Sequence, residues 1–162
     1  MSALYYCRQT TTACKGILYP SKTHPYRYGT SGCVYTSGCG VCASLMALRN
    51  STTRVFNTRQ WTHRCLGMGA RAAEGTDMAV VARYMKEKYG LDYAVTTDMD
   101  RLLAHLKQGY KAIINVSGGG KMLFSNSGHY VLAAGIDKNG NLIILDPYWY
   151  DGKFTLTAAR RK

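Results

Sequence analysis

The chain lacks any apolar run approaching the roughly 20 residues that a membrane-spanning helix needs. Its first eight residues contain no apolar segment of the kind that a secretion signal carries. Acidic residues are also few, at 9 against 21 lysines and arginines. These shortages argue against a membrane span and a recognisable export signal. We therefore expect synthesis in the cytoplasm, while the final location stays open.

The excess of basic residues gives a formal net charge of +12. Such a protein is attracted to polyanions, among them nucleic acid, anionic lipid and the anionic polymers of bacterial cell walls. The alternative is a solvated basic surface with no specific partner. The only dense basic run is Arg160-Arg161-Lys162, and neither a zinc-finger spacing nor an aromatic-rich RNA-binding signature accompanies it. We therefore expect no specific nucleic-acid partner and keep an anionic cell-wall polymer as a candidate.

Six cysteines are many for 162 residues. Without an export signal we expect reduced thiols, most of them buried as small apolar side chains. The pair Cys39 and Cys42 also permits a redox site or, together with His63 and Cys65, a zinc site. That spacing matches no familiar zinc motif, so we expect neither a metal nor a cofactor.

The pattern of apolar residues predicts an α+β fold in which helices come first and a mostly antiparallel sheet follows. With 46% hydrophobic residues, the chain is predicted to form one domain over 1–162, with the first 25 residues as a wrapping arm or an edge strand. Helices are predicted at 40–49 and 57–66, from a Thr76 cap to Gly90, and from a Thr97 cap to Gly109 with Met99, Leu102, Leu103 and Leu106 inward. Strands are predicted at 91–96, 110–116, 129–136, 142–145 and 154–157, and flexible loops at 66–75 and 117–128.

One segment carries a nucleophile in a favourable place. In Ser37-Gly-Cys39-Gly-Val-Cys-Ala-Ser-Leu-Met-Ala-Leu48, a cysteine stands in a glycine-flanked turn where an apolar helix begins. The free N–H groups and the positive dipole end of a helix N-terminus stabilise a thiolate, the form that attacks carbonyl groups. Cys39 is therefore a candidate nucleophile, although a buried structural cysteine has the same appearance.

Two later segments offer the partners that such a nucleophile needs, which are a base and a group to orient it. His129 opens a strand in Gly128-His129-Tyr-Val-Leu, and Asp146 closes the next strand before Pro147. Alone, each is also a common structural residue. If residues 137–140 form a four-residue loop, Asp146 lies opposite Val131 and diagonal to His129, within side-chain reach. A two-residue loop would put it too far away, so we predict the longer loop.

These three segments resemble the papain-like cysteine peptidases that process bacteriocin leaders, the double-glycine peptidases. That family shows a Cys-Gly before an apolar helix, then Gly-His-Tyr/Phe-Val, then Asp-Pro, and the order and spacing match over most of the chain. The resemblance implies a papain-like fold in which the cysteine helix packs on the sheet that carries His and Asp. It also implies a nucleophile at Cys39, a base at His129 and an orienting group at Asp146.

The sequence departs from the family pattern at two positions. Val41 stands where the family usually has proline, and Cys33 stands where it usually has the glutamine that stabilises the oxyanion. The Cys39 backbone N–H and Ser37, or else Thr36 or Tyr35, remain as possible donors. Losing one such donor typically costs about 10²–10³ in rate.

The expected function is hydrolysis of a peptide or amide bond by Cys39, His129 and Asp146. The basic charge favours the peptides of bacterial peptidoglycan as substrate, which would make the protein a lysin. Cleavage of double-glycine leaders is a rival within the same class. The alternatives outside it are acyl transfer of the transglutaminase type, a papain-like module that only binds, and a thiol redox or zinc protein.

Overall fold

The computed structural model describes residues 3–116 and 129–149. The predicted strand at 154–157, the predicted loop at 117–128 and the basic tail at 160–162 lie outside these residues. The helices are α1 (Val34–Ser37), α2 (Cys39–Ser51), α3 (Thr58–Gly67), α4 (Met78–Tyr89) and α5 (Met99–Lys107). The strands are β1 (Arg71–Ala72), β2 (Gly75–Thr76), β3 (Ala112–Val116), β4 (His129–Ile136) and β5 (Leu142–Leu145). This is the α+β arrangement that the sequence predicts.

Helix α2 lies in the centre of the core. This buried position explains why the helix is apolar on nearly every side. Its buried residues include Val41, Leu45 and Leu48, which the 3.6-residue period places on one face. Strand β4 covers one side of α2, while α3 and α4 cover others. A helix surrounded in this way fixes the position of its first residue, Cys39.

Two helices have their caps one residue later than the threonines that we expected in that role. Asp77 caps α4 by accepting a hydrogen bond from Ala79 N at 3.1 Å, and Asp98 caps α5 in the same way from Asp100 N at 2.9 Å. Thr76 belongs to β2 instead. An aspartate carboxylate also complements the positive end of the helix dipole, which makes it at least as good a cap as threonine.

The prediction that Met99 of α5 faces inward is wrong. This side chain is 59% exposed, whereas Leu106 is buried with 4% exposure. Met99 lies in the first turn of a nine-residue helix, and only the C-terminal half reaches the core. Periodicity shows which residues share one face of a helix. It does not show how much of that face has another element packed against it.

The segments on either side of α4 also differ from prediction. Part of the predicted loop at 66–75 is ordered, because Arg71–Ala72 pairs with Gly75–Thr76 as a two-residue antiparallel hairpin. The predicted strand at 91–96 is absent from the described part of the chain, where these residues are almost all exposed and follow no neighbouring strand. An alternating pattern without a partner does not make a strand.

The main sheet is antiparallel, with the order β3-β4-β5. The loop between β4 and β5 is one residue shorter than we predicted. Asp137 pairs with Asn141, since Asp137 N donates to Asn141 O at 2.8 Å, and Gly140 takes the left-handed backbone that a three-residue turn requires.

A bulge in β4 restores the register that the shorter loop would have lost. The pair Ile136–Leu142 is one step out of the predicted register, but the pairs change between Ala133 and Gly135. From Leu132–Leu145 onward the predicted register holds, and its continuation places Asp146 opposite Val131. Asp146 therefore has the predicted position, but this position results from a shorter loop combined with a bulge.

The N-terminal residues cross from α2 to the end of β5. Tyr5 N donates to the Asn50 side chain on α2 at 2.8 Å, and Gln9 N donates to Pro147 O beyond β5 at 2.8 Å. After a short 3-10 helix at Thr12–Gly16, Leu18 forms an isolated antiparallel bridge with Cys33. None of the helices in 3–116 and 129–149 is both long and apolar enough to traverse a bilayer.

Candidate active site

Cys39 is the first residue of α2 and the only partly exposed member of the six cysteines. The next residue, Gly40, is required by close packing, since a Cβ there would lie 2.5 Å from Thr76 Cβ on β2. Thr76 is held in turn by a 2.6 Å hydrogen bond between its hydroxyl and Tyr19. The hairpin β1–β2 therefore supports the turn that presents Cys39.

His129 and Asp146 are in direct contact. His129 is the first residue of β4 and Asp146 follows β5, and both are buried, at 6% and 2% exposure. His129 Nε2 donates to Asp146 Oδ1 at 2.6 Å. The Cys39 side chain hydrogen-bonds to the same imidazole ring. Since Asp146 takes Nε2, Nδ1 is the ring nitrogen that remains for Cys39.

The surroundings of His129 favour its charged form. Burial lowers the pKa of His129, but the hydrogen bonds to Asp146 and Cys39, together with their charges, outweigh it and raise the pKa from 6.5 to about 9. A buried carboxylate at hydrogen-bond distance is the main reason. The imidazole is thus held as an imidazolium over most of the neutral range.

The carboxylate of Asp146 is held by its own turn. Tyr148 N donates to Asp146 Oδ1 at 2.9 Å, closing an Asx turn, and the Tyr148 ring meets His129 edge-on with centroids 6.5 Å apart. The sequence reasoning missed Tyr148, although an aspartate followed by proline signals this turn.

The N-terminal segment holds the backbone of the same turn. The Tyr6 hydroxyl donates to Asp146 O at 2.5 Å, and the Thr10 hydroxyl donates to Trp149 O at 2.7 Å. Burial, and then the charge of Asp146, raise the pKa of Tyr6, so this hydroxyl stays protonated and remains a donor. The contact joins residues 140 positions apart, and no local sequence signal points to it.

Three further side chains lie within electrostatic range of Cys39, and the sequence reasoning named none of them for the site. A charge on Cys39 would raise the pKa of each of them, which are Tyr19, Arg71 and Tyr130. Burial is the largest influence on all three, and it raises the pKa of both tyrosines and lowers that of Arg71. Arg71 stacks on the Tyr19 ring at 4.9 Å, so the side chains beside Cys39 brace one another.

The residues considered for oxyanion stabilisation lie just before Cys39. The Ser37 backbone N–H donates to Cys33 O at 3.0 Å within α1, which leaves its hydroxyl as the group that could serve the site. The Cys33 thiol, in the position of the expected glutamine, is fully buried and contacts Thr30 O and Thr36 Oγ1. A different glutamine, Gln9, donates its amide to the carbonyls of Val34 and Tyr35 and so anchors α1.

Cys42 faces the core beside Cys7, and the two thiols hydrogen-bond to each other. Burial raises the pKa of Cys42 well above its ordinary value, so this thiol is a poor nucleophile at neutral pH. Over 3–116 and 129–149, no three histidine, cysteine or acidic side chains are grouped so that they could hold a metal ion.

One of the three comparisons with known proteins found a match. No curated protein and no solved structure matches the chain. A family model described as the Peptidase_C39 like family matches residues 6–159, which is nearly the whole length. This family is one of cysteine peptidases with the papain-like fold, and it implies a peptide substrate. The chain, with a cysteine at the start of its central helix and a buried histidine–aspartate pair on its sheet, belongs to the Peptidase_C39 like family.

Proposed function

We propose that the protein cleaves peptide bonds with Cys39 as nucleophile, His129 as general base and acid, and Asp146 as the residue that orients His129. The observation that carries this proposal is the buried 2.6 Å hydrogen bond from His129 to Asp146, on a ring whose other side meets the Cys39 thiol. Three residues from separate elements meet in the order that a cysteine peptidase needs.

The chemistry proceeds in two steps. The Cys39 thiolate attacks the carbonyl carbon of the scissile bond, and the negative charge moves to the carbonyl oxygen. We assign the Cys39 N–H and the Ser37 hydroxyl as donors to that oxygen. The His129 imidazolium then gives its proton to the leaving amine, and the C–N bond breaks. Water, deprotonated by His129, then attacks the carbonyl carbon of the resulting thioester. The C–S bond breaks, the acyl part leaves as a carboxylic acid, and the Cys39 thiolate and His129 imidazolium are restored.

Peptides of the bacterial cell wall are the substrate class that we favour. The net charge of +12 attracts the protein to anionic walls. The protein would then act as a lysin.

Alkylation of Cys39 tests the triad. Iodoacetamide reaches Cys39 first in any case, because the other five cysteines are buried. The informative quantity is therefore the rate at pH 6, where only a stabilised thiolate reacts quickly. We expect a drop of about tenfold or more in His129→Ala. Equal rates in the two folded proteins would contradict the proposal.

Cleavage assays test the substrate class separately. Turbidity of Gram-positive cell walls should fall with the wild-type protein and stay constant with Cys39→Ser. If walls remain intact but a peptide library is cut by the wild type alone, the lysin assignment is wrong and the peptidase assignment holds. If neither is cut, the hydrolase proposal itself is wrong.

A further inference from the structure

Two neighbouring surface pockets at the far end of α2 are lined by basic side chains and by no carboxylate. One, of about 490 Å³, is lined by Phe56, Arg59, Gln60, His63 and Arg64. The other, of about 630 Å³, is lined by Arg49, Arg54 and Lys111 together with polar and apolar residues of 3–5, 50–53 and 55. We call the four arginines with His63 and Lys111 the basic groove.

Three of the four arginines of the basic groove lie over aromatic rings, and none of these three pairs with an acid. Arg54 stacks on Tyr89 at 4.2 Å, Arg64 on Phe56 at 4.5 Å and Arg49 on Tyr5 at 3.8 Å. The rings of Phe56 and Tyr89 are themselves neighbours, with centroids 6.1 Å apart. Stacking fixes the guanidinium plane. Arg49 and Arg64 each donate one N–H within the protein, to Phe56 O at 3.3 Å and to the Tyr84 hydroxyl at 3.1 Å, and their remaining N–H groups are left for an anion.

No arginine forms an ion pair with a carboxylate in the part of the chain that the structure describes. The ion pairs there are His24–Glu74, Lys86–Asp92 and His129–Asp146. In a chain with nine acidic residues, a groove that orients several guanidinium groups and excludes carboxylates is suited to an external anion.

The basic groove is separate from the active site. Cys39 begins α2 and Arg49 lies in its last turn. Ten residues of helix separate them, which corresponds to about 15 Å along the axis. The groove can therefore hold one part of a large substrate while Cys39 acts on another part.

We propose that the basic groove binds the phosphodiester polymer of the bacterial cell wall, a chain of polyol phosphates, and so anchors the enzyme next to its peptide substrate. This inference rests on the proposed cell-wall function. The planar, solvent-facing N–H edges match phosphate oxygens, which guanidinium groups bind with two hydrogen bonds. The groove offers no free ring for a nucleobase, since guanidinium groups cover Phe56 and Tyr89 and Trp61 is fully buried. A polymer of phosphates without bases fits these features best.

Binding of soluble poly(glycerol phosphate) to the full-length protein tests the proposal. The affinity is measured by calorimetry over a series of salt concentrations, for the wild type and for the double variant Arg54→Gln/Arg64→Gln. We expect the variant to lose about tenfold or more in affinity and its salt slope to fall by about two, one for each phosphate contact removed. Thermal unfolding confirms that the variant is folded.

A matched control removes the same charge elsewhere. Arg27 and Arg101 are exposed and line neither pocket of the basic groove, so Arg27→Gln/Arg101→Gln should keep the wild-type affinity. Equal losses in both double variants would mean that diffuse charge, not the groove, binds the polymer. The variant Arg54→Lys/Arg64→Lys keeps the charge without the planar fork and should fall between the wild type and the glutamine variant.

Two further binding measurements distinguish the possible outcomes. A single-stranded oligonucleotide with the same number of phosphates should bind more weakly than poly(glycerol phosphate), and tighter binding would overturn the proposal in favour of nucleic acid. Binding is repeated with Cys39→Ala, which cannot form a thioester. Retained binding without wall cleavage by the wild type would contradict the proposed function alone, whereas cleavage without binding would contradict only the groove.

Discussion

The charge state of His129 depends on two neighbours that reach it from different elements. Asp146 accepts from Nε2 and Cys39 contacts the ring, and together they outweigh the burial that would otherwise discharge it. A histidine alone in such a buried position would be neutral at pH 7. The aspartate therefore decides over which pH range the His129 imidazolium persists.

Replacing Asp146 with asparagine should shift the alkaline limit of activity to lower pH. The amide cannot stabilise the imidazolium as the carboxylate does, so the pKa of His129 should fall from about 9 toward its ordinary 6.5. The measurement is kcat/KM against pH, with NMR titration of His129 in parallel. An unchanged alkaline limb with reduced activity at all pH values would show that Asp146 does not control the proton.

Replacing Gly40 with alanine should destabilise the protein. The new Cβ would lie 2.5 Å from Thr76 Cβ, and overpacking of this kind costs about 1–3 kcal/mol. The measurement is the free energy of unfolding in urea. Gly67→Ala in α3 is the matched control, because a Cβ there meets no atom within 4 Å. Equal stabilities of the two variants would contradict the tight contact between α2 and β2.

At the scale of elements, the site depends on how neighbouring segments meet. Helix α2 presents Cys39, strands β4 and β5 bring His129 and Asp146 together, and the N-terminal segment fastens the turn after β5. The bulge near Ala134 is a part of this arrangement, since it compensates for the three-residue loop and keeps Asp146 in reach of His129.

Replacing Tyr6 with phenylalanine should loosen the turn that carries Asp146. The variant loses one hydrogen bond to the Asp146 carbonyl, worth about 1 kcal/mol of stability. We also expect kcat to fall while KM stays near its wild-type value, because the contact positions Asp146, which we propose orients His129, and touches no substrate. Steady-state kinetics and thermal unfolding measure both.

Tyr28→Phe serves as the control for that experiment, since Tyr28 is 62% exposed and its hydroxyl bonds to no part of the described chain. It should match the wild type in kcat and in melting temperature. If Tyr6→Phe behaves like Tyr28→Phe, the N-terminal segment does not position Asp146.

At the scale of the whole molecule, the two ends of the central helix α2 carry side chains of different chemical character. The N-terminal end of α2 carries Cys39, the proposed nucleophile, and the C-terminal end carries Arg49 of the basic groove. The helix dipole favours an anion at the first end and a cation at the second, in agreement with Cys39 and Arg49. Global stability is also linked to the site, because a buried charged pair contributes to folding.

The stability that His129 contributes should depend on pH. Its pKa is raised in the folded protein, so the contribution is complete below pH 6.5 and disappears as the pH rises through about 9. A shift of this size corresponds to on the order of 3 kcal/mol. The measurement is the difference in unfolding free energy between wild type and His129→Gln at pH 6 and pH 9.5. A difference that stays constant over this range would contradict the raised pKa.

Much of this protein could be predicted from local sequence. The apolar run after Cys39, the strand beginning at His129 and the Asp146-Pro147 turn identify the helix, the strands and the family pattern, because periodicity and turn chemistry act over a few residues. The caps at Asp77 and Asp98 were missed by one residue only. The strand expected at 91–96 fails for a different reason, since a strand needs a partner that sequence does not supply.

The sequence by itself determined the order of the proposed roles along the chain, which are a nucleophile at Cys39, then a base at His129, then an orienting group at Asp146. Only the tertiary structure decided the contacts that span long separations, such as Tyr6 with Asp146, Gly40 with Thr76, and the arginines of the basic groove with their aromatic rings. These contacts depend on how whole elements pack, and no local pattern encodes that packing. The raised pKa of His129 is likewise a product of the fold, because burial, a carboxylate and a thiol combine there only once the elements have met.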